Sequence, residues 1–398
     1  MASKYTHIDI FAGCGGLSAG LVESGWDGLF AIEKNHDAFS TFKHNLIDKK
    51  NGFDWPEWLP RCEHDIYSIL QDHMSELLKL QGNVTLVAGG PPCQGFSMAG
   101  KRDKNDQRNQ LVTAYLKFIE VILPKAIVFE NVYGFMANFK GESQSQKYAS
   151  LVVNKLESWG YDTAYRIIDM SEYGIPQKRK RYILIALKDN SAKSVFDALE
   201  FNRKKFLNKK KIQSRVSVLD AIGDLEQKYG TTPSPDSHGF LSGTYGPIES
   251  NYQRFMRRGL KNVAVDSHRF VNHRNDTITL HKDLLANAPV GKRIRPKDGF
   301  VLNLNRRGVT VLNPASQAPT ITSIPDEIIH YSEPRVLTVR EYARIQSFPD
   351  WYEFKGKYTS GGPMRKYEVP RYTQVANAVP PLFSEQIGYA LLEVLSHE

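Results

Sequence analysis

Three short segments set reactive side chains where they could act together. The stretch "GGPPCQGFS" holds a single thiol, Cys93, directly after the apolar run "VTLVA" and two prolines. A thiol that works as a nucleophile needs its thiolate stabilised and an acid or cation to steady what it forms. Glu130 ends the next apolar run in "IVFENV", and Gln177, Arg179 and Arg181 alternate along "QKRKR". In an extended chain that alternation turns all three to one face. Pro91 and Pro92 stiffen the backbone before the thiol, while Gly89, Gly90 and Gly95 let the loop approach a flat ligand. Blander readings stand beside these: a buried apolar cysteine, a solvated glutamate, and a basic sheet edge that discourages pairing.

A second constellation lies near the N-terminus. In "FAGCGGLSAG", Gly13, Gly15 and Gly16 make a tight turn whose amides, with the helix start that follows, can meet a ligand closely. Glu33, seventeen residues after Gly16, closes the next apolar run and is placed to accept the hydroxyls of a ribose. Asp65 in "HDIY" is expected at the end of a third strand, where it could hold an adenine amino group. A nicotinamide fingerprint fits less well, because Ser18 stands where Gly or Ala is required. The set suits an adenosine-containing cofactor.

These residues need a scaffold, and the first 190 residues supply its pattern. "THIDIFAG", "GLFAIE", "VTLVAGG" and "AIVFENV" read as strands, each followed by a helix-like segment, which signals a parallel α/β sheet. "LVTAYLKFIEVIL" is such a helix, apolar at Leu111, Tyr115, Phe118 and Ile122 and closed by Pro124. "YDTAYRIIDM" and "RYILIAL" lie close enough in sequence to pair antiparallel at the sheet edge. From about Ser191 the pattern gives way to the charge run "NRKKFLNKKK" and the turn-rich "TTPSPDSHGFLSGTYGP". No long helix is expected before "VLTVREYARIQSF". Residues 191–311 therefore read as an inserted domain of irregular β structure between residues 1–190 and 312–398, the last ending in the helix "PPLFSEQIGYALLEVL".

Charge separates the same segments. The net charge is +9, yet residues 191–310 carry 22 Lys and Arg against 11 Asp and Glu, leaving −2 for the rest. An excess so confined points to a polyanionic partner, most simply nucleic acid. No apolar run approaches the roughly eighteen residues of a membrane span, and the N-terminus lacks a signal-peptide pattern, so the expected setting is the cytoplasm. Cys14, Cys62 and Cys93 are odd in number and lack Cys-x-x-Cys spacing, which argues against a disulfide framework and a zinc site.

The ordered set "DIFAGCGGLSAG", "AIEKNHDA", "GGPPCQGFSMAG", "FENV", "QKRKR", "RVLTVREYARIQSFPD" and "QVANAVPP" resembles the DNA (cytosine-5) methyltransferases of bacterial restriction-modification systems. The likeness runs over residues 6–190 and 312–395. It implies an α/β, Rossmann-like methyltransferase sheet with a smaller, irregular β-rich target-recognition domain. It assigns Cys93 as the nucleophile that adds to cytosine C6, Glu130 to the N3 and N4 edge of the ring, and Arg179 and Arg181 to positioning the base and stabilising thiolate and adduct. The Glu130 role needs a protonated or proton-sharing carboxyl and hence some burial. Phe11, Gly13, Gly15, Leu17, Glu33, Asp65, Ile66, Pro92, Leu111, Asn377 and Ala378 are the implied contacts for S-adenosylmethionine, released as S-adenosylhomocysteine, with no metal. One departure is Ala376, where the family usually has glycine.

The resemblance further implies double-stranded DNA as substrate with the target base flipped out, a monomer, and a cognate restriction endonuclease as candidate partner. The recognition domain then coincides with the basic block, with Arg293, Arg295, Arg306 and Arg307 as candidate base readers and His268, His273 and His281 as structural or phosphate-side residues. Two other functions stay open, a transfer RNA cytosine-5 methyltransferase and a non-catalytic DNA-binding regulator. The long basic insert weighs against the first and the intact Cys93, Glu130 and Arg181 set against the second.

Overall fold

The computed structural model describes residues 5–92, 110–136, 148–260, 264–295, 298, 308–360, 364 and 367–396. Cys93, Gly95, Arg306 and Arg307 lie outside them. Six strands form the main sheet: β1 (Thr6–Ile10), β2 (Asp27–Ile32), β3 (Leu86–Gly89), β4 (Ala126–Val132), β5 (Asp162–Asp169) and β6 (Lys180–Leu187). Their order is β2-β1-β3-β4-β6-β5. The first four pair parallel, and β6 runs antiparallel to both β4 and β5. Ile8, Val87, Ile127 and Leu184 have no exposed surface. Strands covered on both faces read as continuous apolar runs, which is why these were legible. The expected antiparallel pair is present, with β5 at the sheet edge.

Between the strands lie α1 (Gly16–Glu23), α2 (His36–Phe42), α3 (Ile66–Asp72), α4 (Met74–Lys79), α5 (Gln110–Ile122) and α6 (Tyr148–Ser158). α5 buries Val112, Tyr115, Phe118, Ile119 and Ile122 at helical spacing. Asp65 departs from expectation. It ends no strand but caps α3, its Oδ1 accepting the Tyr67 amide at 2.9 Å. An aspartate before a short apolar helix satisfies an orphan N–H, and "HDIY" is that pattern.

The chain divides into two compact units, one of Met1–Met170, Lys180–Lys204 and Phe383–Glu398, the other of Ser171–Arg179 and Lys205–Leu382. Their limits differ from those drawn on composition. The charge run is not a loop: it is the second half of α7 (Ala192–Lys209), which buries Val195, Phe196, Leu199 and Leu207. Lysines crowding the outer face hide that period in the sequence.

The second unit continues with α8 (Val218–Ile222), a hairpin of β7 (Thr231–Pro233) and β8 (Leu241–Gly243), α9 (Asn251–Met256) and α10 (Asn275–Asn287). A small sheet follows, ordered β11-β10-β9, from β9 (Arg293–Ile294), β10 (Val309–Val311) and β11 (Ile328–Ile329). At 13 residues α10 is a second long helix where none was expected. The unit is organised around α11 (Val339–Ile345), every residue of which is buried, Arg340, Glu341 and Arg344 included. Arg344 bonds Asp350 at 2.5 Å and Asp224 at 3.1 Å, Arg335 meets Glu341 at 2.7 Å, and Arg340 meets Asp266 at 2.9 Å. Two more helices complete the chain, α12 (Arg371–Asn377) and the expected terminal helix α13 (Pro381–Leu395).

Candidate active site

The turn from β1 to α1 enters the left-handed region in three places, at Phe11 (φ 60°), where a side chain makes it costly, and at Gly13 (56°) and Gly15 (86°), where glycine admits it. A Cβ on Gly13 would meet nothing within 4 Å, so the turn presents bare backbone to open space. Glu33 organises what surrounds it. Its Oε2 accepts the Gly13 amide at 2.9 Å, its Oε1 the Asn35 amide at 2.7 Å, and its carbonyl the His64 amide at 2.8 Å. Each carboxylate oxygen keeps a lone pair able to accept a further hydroxyl. Burial raises the Glu33 pKa, against the pull of the Asn35 and Gly13 amides.

Asp65 joins the same frame through Lys34, whose Nζ lies 2.6 Å from its Oδ2. Partial burial opposes ionisation of Asp65, but the Lys34 ammonium and the Tyr67 amide outweigh it and hold the carboxyl below its usual range. Leu17 and Ile66, at the starts of α1 and α3, are buried. Leu111 is half-buried in the first turn of α5, and Pro92 is exposed. The bare turn and the two remaining acceptor sites on Glu33 fit a ribose-bearing cofactor.

Beneath the turn, Ser18 Oγ donates to Asp9 Oδ2 at 2.6 Å, and His7 Nε2 lies 3.3 Å from the same hydroxyl. Burial pushes Asp9 up to about 7, the Ser18 hydroxyl opposing and Glu33 adding to the rise. The residue that spoils a dinucleotide fingerprint thus straps α1 to β1. Sequence reading passed over Asp9, although a carboxylate inside an apolar strand is a visible signal.

The Glu130 carboxylate and the Arg181 guanidinium form an ion pair, Nε to Oε1 at 3.0 Å, with each side chain 14% exposed. Strand register explains the meeting: Val132 faces Arg181 and Glu130 faces Ile183 on adjacent antiparallel strands. The expected convergence of these two side chains is observed.

The glycines before the thiol act otherwise than expected. A Cβ on Gly89, where φ is 146°, would lie 2.0 Å from the Ile10 carbonyl oxygen, and one on Gly90 would lie 2.0 Å from that of Glu130. They are needed by the neighbouring strands on both sides of β3. Asn131, 3% exposed, donates from Nδ2 to the Pro91 carbonyl at 3.3 Å while its Oδ1 accepts the Val132 amide at 2.8 Å. The backbone two residues before Cys93 is therefore fastened to the residue next to Glu130. Asn131 was missed because it sits inside the motif that had already been assigned to its neighbour. Of the other cysteines, Cys14 is buried, with burial pushing its thiol far up, and Cys62 is exposed.

In the second unit Gln177 and Arg179 are buried while Lys178 is exposed, and Lys180, the first residue of β6 in the first unit, is exposed as well, so the alternation along "QKRKR" is real and its inner side is packed. Gln177 Oε1 accepts the Ile321 amide at 3.0 Å and its Nε2 donates to Gln346 Oε1. Gln346 Nε2 and Arg179 Nη2, the latter at 3.1 Å, both donate to the Ala378 carbonyl. Arg179 thus braces the "NAV" segment through that carbonyl. Asn377 is exposed, and Ala376 lies inside α12, where helical backbone asks for no glycine.

Arg293 is paired with Glu327 at 3.0 Å, and Arg295 is exposed. The three histidines are structural. His268 is buried between Leu225 O at 2.9 Å and Thr338 Oγ1 at 2.8 Å, His281 Nδ1 lies 3.2 Å from Pro334 O, and His273 stacks edge-on to His281.

Among the described residues no group of three or more His, Cys, Asp or Glu could hold a metal ion, and no helix is long and apolar enough to cross a membrane. The profile of the C-5 cytosine-specific DNA methylases matches residues 5–393. The type II methyltransferase M.XorII of Xanthomonas oryzae pv. oryzae is 30% identical, covering 98% of this chain and 84% of its own. M.DdeI of Desulfomicrobium norvegicum is 28% identical, over 96% and 87%. A prophage-encoded E. coli structure described as a DNA modification methyltransferase superposes with a TM-score of 0.68 at 23% identity, over 99% of this chain and 100% of that one.

Proposed function

The chain belongs to the C-5 cytosine-specific DNA methylase family and is a DNA (cytosine-5-)-methyltransferase; we propose that Cys93, Glu130 and Arg181 carry the transfer, with Arg179 as a positioning residue. Membership of the family implies S-adenosylmethionine as donor. When bound, it supplies an electrophilic methyl group that C5 accepts. Everything else falls to the chain.

The Cys93 thiolate forms a bond to cytosine C6, and the ring electrons displaced by that addition make C5 enamine-like. Glu130, taking up a proton as the base binds, donates it toward N3 and accepts a hydrogen bond from the N4 amino group, drawing charge from C6; the N3 proton returns to Glu130 when the adduct collapses. Arg181 stabilises negative charge as the adduct forms. After methylation, loss of the C5 proton to water restores the C5–C6 double bond and expels Cys93 as thiolate. The observation that supports this division is the Glu130–Arg181 pair at 3.0 Å, with Asn131 on the same strand fastening the loop that leads to Cys93.

For the cofactor, Glu33 accepts the ribose hydroxyls and Asp65 the adenine amino group. Phe11, Gly13, Gly15 and Leu17 supply the turn, and Ile66, Pro92, Leu111, Asn377 and Ala378 the remaining contacts. We assign base reading to residues 191–311 and duplex DNA as the substrate, which the basic excess of that segment supports. The bacterial type II relatives support a bacterial cytoplasmic enzyme; to this reading we add a monomer and, as candidate partner, an endonuclease of the same sequence specificity.

Labelled methyl donor offered with duplex DNA and with transfer RNA tests the substrate, and transfer to RNA alone overturns it. Cys93→Ala should abolish transfer and trap no covalent DNA complex while binding S-adenosylhomocysteine normally. Bisulfite sequencing of DNA from an expressing host would then give the recognition sequence.

A further inference from the structure

The second unit carries a cationic ridge where the end of α7 meets α9. Residues 201–219 contain seven Lys and Arg and no Asp or Glu, and residues 250–265 contain four and none. The fold brings these two stretches together through a ladder of rings and cations. Lys210 Nζ lies 4.9 Å from the Phe206 ring and 4.8 Å from the Phe255 ring, and the Arg258 guanidinium lies 3.8 Å from the same Phe255 ring. Such contacts hold long side chains in place without neutralising them.

Around the ladder Lys205, Lys209, Lys211 and Arg254 are exposed. None of the four has a carboxylate partner among the described residues, and Arg254 Nη1 instead bonds Asn251 Oδ1 at 2.9 Å. Within the same stretches Arg257 is paired with Asp224, and elsewhere in this unit Lys228, Arg293, Lys355, Lys357 and Arg371 each meet an acid.

We propose that this ridge is a sequence-independent docking surface for the phosphate backbone of duplex DNA, distinct in task from base reading and from methyl transfer. The proposal rests on duplex DNA being the substrate. Unpaired cations on a surface hold counterions only loosely matched to them, and a polyanion that replaces them gains the entropy of their release. Three of the four exposed cations are lysines, point charges suited to phosphates, and they lack the planar fork that reads base edges. Lysine is also depleted from protein interfaces, which disfavours an acidic protein as occupant.

The test is binding of a random-sequence duplex by fluorescence anisotropy across a salt titration. The variant K205Q/K209Q/K211Q/R254Q should lower the slope of log Kd against log salt by about 3.6, at about 0.9 for each of the phosphates no longer neutralised, and weaken binding at least about tenfold near physiological salt. The charge-conserving K205R/K209R/K211R should keep the wild-type slope, which a merely structural role for the lysine side chains would not guarantee. At saturating DNA, kcat should be unchanged and KM raised. An unaltered slope and affinity in the glutamine variant overturns the ridge, including in favour of an acidic protein partner. If wild-type protein binds the duplex but transfers no methyl to DNA, the substrate assignment fails while the ridge stands.

Discussion

The two units solve the problem of a core in opposite ways. In the first, Ile8, Val87, Ile127, Phe129 and Leu184 fill a sheet whose interior is almost wholly apolar. In the second, the central helix α11 buries Arg340, Glu341 and Arg344 and closes them with Asp224, Asp266, Arg335 and Asp350. Apolar packing is non-directional and forgives small errors of geometry. Buried ion pairs repay their desolvation only when every partner is in place. The unit that presents reactive side chains from a sheet is thus built from tolerant contacts, and the irregular unit, short of regular ladders, takes its shape from contacts that admit one arrangement.

That contrast can be broken most directly by Arg344→Ala, which takes the nearest cation from buried Asp224 and Asp350 and leaves Asp224 only Arg257 at 3.4 Å and Asp350 the Tyr245 hydroxyl at 2.8 Å and Arg340 at 3.9 Å. A loss of about 3–5 kcal/mol is expected, confined to the second unit when read by hydrogen exchange. Unchanged protection of α8 and α11 would remove the claim that ion pairs organise that unit. Leu184→Ala in β6 should cost about 2–4 kcal/mol by cavity formation, with the loss confined to the sheet.

Acid should separate the units further. Burial holds His268 down to about 4 and His330 down to about 3, so below pH 6.5 the unfolded chain takes up protons that the folded unit refuses. Each then loses about 1.4 kcal/mol of stability per pH unit as pH falls toward those values. Glu341 adds to this at lower pH. Although buried, it is held down to about 2 by Arg335, and its stabilisation, present above its ordinary value of 4.5, is lost as pH falls. In the first unit the effects oppose. His7, held down to about 3 by burial, disfavours acid, whereas Asp9, raised to about 7, gives stability that is lost as pH rises from 3.8 through 7. Exchange measured between pH 7 and pH 4 should show the second unit opening first; simultaneous opening would contradict the assignment of these groups.

Polar contacts in the first unit should register in function more than in stability. Asn131→Ala removes its hydrogen bond to the Pro91 carbonyl, a cost of about 0.5–1.5 kcal/mol falling on the segment that leads to the proposed nucleophile. We expect kcat to fall about tenfold or more with S-adenosylhomocysteine affinity unchanged. The smallest effect belongs to Lys34→Gln. Lys34 is 79% exposed, and its contact with Asp65 is worth at most about 1 kcal/mol. Calorimetry should show up to a fivefold loss of S-adenosylhomocysteine affinity, largest at low salt.

Legibility followed the same division. The strands of the main sheet could be read because apolar runs bounded by glycine and proline mean little else, and Glu130 was found because it closes such a run and Arg181 because it falls in the alternation along "QKRKR". Asp65 was misplaced, since a helix cap and a strand end are both marked by a lone acid after a break. Asn131 and Asp9 escaped notice, and Ser18 was seen only as a break in a fingerprint, because their importance lies in what they touch. The long helices that follow the main sheet in the chain were hidden by lysines on α7 and by polar residues on α10. The charges of "REYAR" gave no sign that they point inward, because periodicity reports which residues share a face and is silent on whether that face is wet.

β6 buries six residues in succession, from Tyr182 to Leu187, so its side chains alone do not tell one alignment with β4 from the next. The contact between Arg181 and Glu130 does. A chain that closed its sheet one residue out of step would still bury its oils and would still look folded to a spectrometer, yet the arginine would turn to the wrong side. With the roles proposed for Glu130 and Arg181, catalytic competence becomes an assembly certificate: in a refolded preparation, specific activity would count the molecules whose last central strand was laid down in register.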